Sequence, residues 1–345
     1  MKPIRVVQSF RAPRPTTNPY ITQLDRELGR TPGIDYHRFS WGRALLGAYD
    51  VFHWHWPEGK LQGSTWWKTA GKHVLVAMLW ARHRVTRVAV VRTVHNVELP
   101  DVAPLTRRVL VAIDRSTSYR ITLNRTTELG PDQPHTLILH GHYRDWFAPV
   151  PREARVPGRL GYFGGIRRYK SVATLIAAYR AAVENGAEIS LRIGGRPSTA
   201  ELADDLRRET ADLPDVSMHL SFLSDEELVA LATSSELVVL AYRFMHNSGS
   251  VLAALSLGRP VLVPRNPPNE ALAAEVGPVW VQMFEGQLDA GQLLAALDAV
   301  RTLGADDEPD LSLRTWESAG PSHAEAYRRA VEIRRPGRRA ASASS

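Results

Sequence analysis

The chain is predicted to be an α/β protein built from two doubly wound parallel sheets. Three observations carry the prediction. Short β-branched apolar runs alternate with longer helical runs along the whole sequence, the pattern of repeated βαβ units. Charge is divided between two halves. Residues 1–150 hold 21 Lys and Arg against 11 Asp and Glu, a net of +10, whereas residues 151–333 hold 18 against 25, a net of −7. Between the halves, Pro149, Pro151 and Pro157 cluster with charged residues and read as a linker. The expected units are therefore 1–150 and 151–333, with the last helix of the second able to pack back on the first. The tail 334–345 is arginine-rich, then Ala- and Ser-rich, and is expected to be disordered.

In the first half, strands are expected over Ile4–Ser9, Ile34–Phe39, Val51–Trp54, Val88–Val94, Arg120–Leu123 and Thr136–Leu139. After the first strand, Asn18 fits an N-cap and Pro19 the first position of a helix over Tyr20–Leu28. The third strand ends in His53-Trp54-His55-Trp56. His53 and His55 alternate to one face, as metal ligands on a strand can. With no cysteine in the chain and no well-spaced third ligand, no metal site is expected. The segment Trp66–Arg84 mixes aromatic, aliphatic and basic residues. It reads either as a buried crossover helix with charged ends or as a helix lying on an anionic membrane surface. The fourth strand runs into His95-Asn96, with Glu98 and Asp101 close behind. Asn124–Glu128 and His140–Asp145 follow later strands in the same way.

In the second half, strands are expected over Leu160–Phe163, Ile189–Ile193, Val216–Leu220, Leu237–Ala241, Val261–Val263 and Val279–Gln282, with helices over Val172–Glu184, Leu202–Leu213 and Asp225–Ser234. Two strand ends stand out. Leu160–Phe163 leads into Gly164-Gly165-Ile166-Arg167-Arg168-Tyr169-Lys170-Ser171 and a helix. Leu237–Ala241 leads toward Asn247-Ser248-Gly249-Ser250 and a helix that stops at Gly258. The first-turn amides of a helix lack intrahelical acceptors, and its dipole favours negative charge there. Gly249 lets an anion approach the backbone, and Ser248 and Ser250 can add hydroxyl donors. Standing alone, such a serine is equally well an ordinary N-cap.

Taken together, the two segments resemble the donor-binding half of GT-B glycosyltransferases. In that family an FG-x-x-x-x-YK-G loop and a later S-G-x…G-x-P-V helix hold the diphosphate of a sugar nucleotide. The similarity spans most of residues 160–265. It implies two Rossmann-like domains facing each other across a cleft, with ligands at the carboxyl ends of the strands. The expected donor-binding residues are Gly165, Arg167, Lys170, Asn247, Ser248, Gly249 and Ser250. Arg92-Thr93-Val94-His95-Asn96 resembles the T-x-H-N strand end of the same family, where the histidine lies near the transferred sugar. His95 and Glu98 are the expected catalytic residues. Asn18, His53, His55 and Asn96 are expected on the acceptor side, with Trp54 or Trp56 offering a flat face to sugar or lipid.

The commonest retaining pattern has two glutamates flanking the donor helix. Here His246 or Asn247 and Ala253 stand in their places. That departure points to bacterial branches that build polysaccharide units on a lipid carrier, including mannosyl- and glucuronosyltransferases. The expected reaction is transfer from a sugar nucleotide, GDP-mannose ahead of UDP-sugars, to a saccharide or polyprenol-linked saccharide. No metal or other cofactor is expected. Two readings of other kinds are a sugar-nucleotide epimerase on the same fold and a basic nucleic-acid-binding protein. The first needs carboxylates that the donor helix lacks; the second leaves Lys170 and Ser248–Ser250 without a purpose, so nucleic acid is not an expected partner. No signal peptide is visible, and Val74–Ala81 is too short to span a bilayer. A cytoplasmic protein is expected, peripheral at the inner face of the membrane.

Overall fold

The computed structural model of the protein describes residues 2–96, 102–304 and 306–335. They form two compact units. One runs to Gly141 and takes up the chain again from Arg314; the other is His142–Leu313.

The first unit is a parallel sheet of β1 (Ile4–Gln8), β2 (Ile34–His37), β3 (Val51–Trp54), β4 (Ala89–Val94), β5 (Tyr119–Thr122) and β6 (His135–Leu137). The strand order is β2-β1-β3-β4-β5-β6. Helices α1 (Pro19–Arg30), α2 (Trp41–Leu46), α3 (Trp66–Thr86) and α4 (Pro104–Ser116) connect them. Asn18 caps α1, its side chain accepting from Tyr20 N at 2.9 Å, and Pro19 supplies a first-turn residue with no amide to satisfy. A cluster including Val7, Phe52, Trp54, Leu79 and Leu110 forms the core under this sheet. Trp54, expected at a binding surface, belongs to that core and is 3% exposed.

The second unit opens with the short helix α5 (Arg144–Phe147). Its sheet holds β7 (Arg159–Phe163), β8 (Ser190–Gly194), β9 (Val216–His219), β10 (Leu237–Val239), β11 (Val261–Pro264) and β12 (Val281–Phe284), in the order β12-β11-β10-β7-β8-β9. Between them run α6 (Val172–Glu184), α7 (Ala200–Thr210), α8 (Asp225–Ser234), α9 (Gly249–Ser256), α10 (Pro267–Val276) and α11 (Ala290–Val300). Ser224 and Glu227 form a reciprocal capping box at α8. The chain then returns to the first unit as α12 (Ala319–Arg334), which packs on α1, β3, β4 and β5.

All twelve expected strands are present, every end within two residues of its expected place. The unit boundary is displaced. Pro149, Pro151 and Pro157 lie inside the second unit, and the change of unit falls at Gly141–His142. The cause is local bonding: Tyr143 N donates to Ser256 Oγ at 2.8 Å and Arg144 Nη2 to Pro309 O at 2.6 Å. The beginning of the expected tail is tied down as well. Arg334 ends α12, and Arg335 pairs with Asp50 at 3.3 Å. The rest of that tail lies outside the described residues.

Candidate active site

In each sheet the chain reverses its direction of winding at one place, between β1 and β3 in the first unit and between β7 and β10 in the second. Connections on the two sides of that place leave to opposite faces, which opens a crevice beyond the carboxyl ends of the two strands. In both units the residues singled out from the sequence collect there.

In the second unit, β7 runs into Gly164, whose φ of +115° suits glycine. A methyl group on Gly164 would stand 3.1 Å from Ser250 Oγ and 3.6 Å from Lys170 Nζ. The loop after β7 and the first turn of α9 therefore aim a hydroxyl and an ammonium at one small space. Arg243 N donates to Tyr169 O at 2.9 Å and pins the two loops together. Ser248 is the N-cap of α9, its hydroxyl accepting from Val251 N at 3.3 Å. A methyl group on Gly249 would come 3.2 Å from the Tyr143 hydroxyl, so that hydroxyl stands at the same helix end.

Lys170 is half-buried, with its ammonium 4.8 Å from the centre of the Tyr242 ring. Burial lowers its pKa; Tyr169 opposes the shift and Arg167 adds to it. Among the described residues no carboxylate pairs with it. The Tyr242 hydroxyl is buried next to Ser250, Tyr162 and Ser248, and burial raises its pKa to about 12. Neither Tyr242 nor Tyr162 has a hydrogen bond of good geometry for its hydroxyl. A half-buried cation, hydroxyls and first-turn helix amides are the parts an oxyanion needs. Gly165 and Arg167 lie exposed on the same loop, and Asn247 is half-buried before α9.

In the first unit the crevice is filled by a buried polar network. Gln8 at the end of β1 donates from Nε2 to the Tyr327 hydroxyl of α12 at 2.8 Å. Its Oε1 faces His55 Nε2 at 3.1 Å. Tyr327 also meets His53 Nδ1 at 2.8 Å, and His53 Nε2 meets Thr93 Oγ1 at 2.8 Å. His55 Nδ1 lies 3.3 Å from His95 Nε2. With the Gln8 amide oriented this way, protons can be placed on every link. His55 donates from Nε2 to Gln8, so its Nδ1 accepts from His95 Nε2–H; Tyr327 donates to His53, which donates from Nε2 to Thr93.

Burial keeps these imidazoles neutral. It pushes His55 down to about 3 and His140 and His323 to about 4. His53 and His95 are also pushed well below 6.5, by burial first and neighbouring histidines second. His95 stacks on Trp56 with ring centres 3.8 Å apart and meets the edge of Tyr20 at 5.5 Å.

The structure thus brings His95, His53 and His55 together at one strand edge and sorts them. His53, expected to line an acceptor surface, is wholly buried with both ring nitrogens bonded inside the protein, so it ties β3, β4 and α12 together. His55 is 3% exposed and bonds Gln8 and His95, which places it behind His95. Trp56 supports the His95 ring. Asn18 and Asn96 are exposed, Asn18 spending its side-chain oxygen on the α1 cap. Glu98 and Asp101 lie outside the described residues, and Asp145 is exposed on α5. Gln8, Tyr327 and Tyr242 were not singled out from the sequence, and Tyr143 only as part of the segment His140–Asp145. Tyr327 meets Gln8 across 319 residues of chain, a pairing with no local signal; Tyr242, directly after the β10 run, had one. Among the described residues no group of three or more His, Asp or Glu is arranged to hold a metal ion.

No protein-family model matches the chain. A curated relative from Xanthomonas campestris pv. campestris (strain ATCC 33913), a GDP-mannose:glycolipid 4-beta-D-mannosyltransferase, is 40% identical over 329 residues, covering 95% of this chain and 93% of the relative. The fold is similar to that of Anabaena Alr3699/HepE, solved with UDP, with a TM-score of 0.56 at 14% identity over 97% of this chain and 98% of that one. It is also similar to that of sucrose-phosphate synthase from Thermosynechococcus elongatus, with a TM-score of 0.57 at 14% identity over 96% and 97% of the two chains. Two parallel six-stranded sheets with these neighbours are a GT-B fold. The chain is a glycosyltransferase and belongs to the family of the GDP-mannose:glycolipid 4-beta-D-mannosyltransferase.

Proposed function

We propose that this enzyme transfers mannose from GDP-mannose to a lipid-linked saccharide with inversion at the anomeric carbon, without a metal ion. The carrying observation is the convergence of Lys170 Nζ and Ser250 Oγ over Gly164 at the head of α9, with Lys170 half-buried and paired with no carboxylate among the described residues. A half-buried cation with no carboxylate partner among the described residues favours an arriving anion. The donor diphosphate is that anion. When the glycosidic bond breaks, the leaving phosphate gains charge. Lys170, the hydroxyls of Ser248 and Ser250, the free amides of α9 and the exposed Arg167 stabilise it. Gly165 and Gly249 leave room for the phosphates, and Asn247 adds an amide donor.

Inversion follows from two considerations. A β-linked product from an α-linked sugar nucleotide requires a single displacement, and the name of the Xanthomonas relative specifies a β-linkage. The glutamate pair of the retaining pattern is missing: His246 or Asn247 stands before the donor helix and Ala253 within it instead. A single displacement needs one base for the acceptor hydroxyl. His95, kept neutral by burial, and Glu98, three residues on, are the proposed catalytic groups. Asn18 and Asn96 are the proposed acceptor contacts, with His55 acting through His95. A glycolipid acceptor places the enzyme at a membrane surface. Among the described residues no helix is long and apolar enough to cross a membrane.

The test is transfer by purified enzyme from labelled GDP-mannose and from UDP-sugars to a lipid-linked saccharide, with and without EDTA. The anomer formed is read from the one-bond carbon–proton coupling. GDP-mannose is expected to serve, EDTA to leave the rate unchanged, and the product to be β. Transfer only from a UDP-sugar, an α-product, or a rate abolished by EDTA and restored by a divalent ion would each overturn the corresponding part.

A further inference from the structure

The first unit carries a constellation that sugar transfer does not use. The 21-residue helix α3 contains no Asp or Glu. It buries one stripe, Val76, Leu79 and His83. A second apolar stripe stays in solvent: Trp67, Val74, Met78 and Val85 are 54–83% exposed. At 3.6 residues per turn these four positions lie on one line along the helix. Beside them, α3 and α4 enclose a groove of about 700 Å³, lined by Trp80, Arg84, Arg107, Arg108 and Arg115. The Arg84 guanidinium rests over the Trp80 ring at 4.9 Å. None of these four arginines forms an ion pair among the described residues. Asp114, the carboxylate on α4, is already held by Arg92 at 2.6 Å and Arg120 at 3.2 Å.

Four permanent cations in one groove repel each other unless an anion joins them. Their planar donors match phosphate oxygens in pairs. The neighbouring stripe decides what carries the phosphate. Val74, Met78 and Val85 gain from entering hydrocarbon and gain nothing against a sugar–phosphate backbone. An exposed apolar row of this length marks an interaction surface.

We propose that the groove between α3 and α4 receives the phosphate headgroup of an anionic membrane lipid, while the exposed stripe of α3 enters the acyl layer beside it. The proposal gives a place to the membrane contact implied by a glycolipid acceptor, but its evidence is independent of that reading.

The test is sedimentation of the full chain with vesicles of phosphatidylcholine alone or mixed with phosphatidylglycerol, in the absence of donor and acceptor. Wild type is expected to pellet with the mixed vesicles, less so as salt rises. The double variant Arg107→Glu/Arg108→Glu should bind them about tenfold less or weaker still. Met78→Lys should also lose vesicle binding, although it adds positive charge. Both should melt like wild type and keep their rate on a water-soluble saccharide acceptor. Equal binding to neutral vesicles, or undiminished binding by the arginine variant, overturns the headgroup site. Displacement from vesicles by millimolar inorganic diphosphate would make the groove a site for free diphosphate. Duplex oligonucleotide binding unaffected by Met78→Lys would make it a nucleic-acid site. Because no sugar transfer enters the vesicle measurement, its failure leaves the mannosyltransfer reading standing, and the reverse also holds.

Discussion

Lys170 and Gly164 define the proposed donor cradle from opposite sides, one by what it supplies and one by what it omits. Lys170→Ala is expected to weaken binding of a sugar nucleotide by about 1.5–3 kcal/mol, the worth of a hydrogen bond to a charged group. The melting temperature should hold, since the side chain pairs with no carboxylate of the described residues. Titration calorimetry on the folded variant checks this, and unchanged affinity would remove Lys170 from the site. Gly164→Ala should also lose donor affinity, because φ is +115° and the new methyl would crowd Ser250 Oγ at 3.1 Å. For His95→Ala, turnover should fall roughly 10²-fold with donor affinity little changed. Near-normal turnover with a lowered melting temperature would show His95 to be a packing residue. The sequence made Lys170, Ser248 and His95 legible because each sits at the end of an apolar run, where parallel sheets present their chemistry. It set His95 apart but could not sort His53 from His55: alternation along β3 tells which face a side chain takes, not which neighbours satisfy its ring.

Helix α12 acts on the histidine cluster from a distance in sequence that no periodicity reveals. Its Tyr327 hydroxyl joins Gln8 and His53, and its His323 accepts nothing at Nε2 while Nδ1 donates to Ala319 O at 2.7 Å. Tyr327→Phe keeps the ring and removes the junction. Gln8 Nε2 and His53 Nδ1 would each lose a buried partner, at about 1–3 kcal/mol apiece. A fall of several degrees in melting temperature is expected; a stability equal to wild type would mean that water enters the network. Strand positions were readable because β-branched runs between turn residues leave little choice. The length of α3 was readable too, but its two faces were not. A helix with apolar residues on both sides yields the same composition whether one face or both are buried.

The histidines give the protein a calculable response to acid. An unfolded chain protonates histidine below about pH 6.5, while the folded first unit keeps His140 and His323 neutral to about 4 and His55 to about 3. The unfolded state therefore holds more protons in that window. Stability is complete above pH 6.5 and declines as pH falls below it, by up to about 1.4 kcal/mol per pH unit for each such histidine. Calorimetry at neutral pH and at pH near 5 should show the loss; a flat melting temperature would contradict the neutral cluster. The charge division had indicated two units, and proline clustering had suggested where to cut. The cut moved because hydrogen bonds of Tyr143 and Arg144, not chain composition, assign the crossing segment. The return of α12 to the first unit also sets an order of events during synthesis. The second unit is one unbroken stretch and can close as soon as Leu313 has left the ribosome. The first unit, although translated earlier, must wait with Gln8 and His53 unmatched until Tyr327 arrives. A chain truncated after residue 313 and released should therefore yield a protease-resistant second unit beside a digestible first one, so that the half made first is finished last.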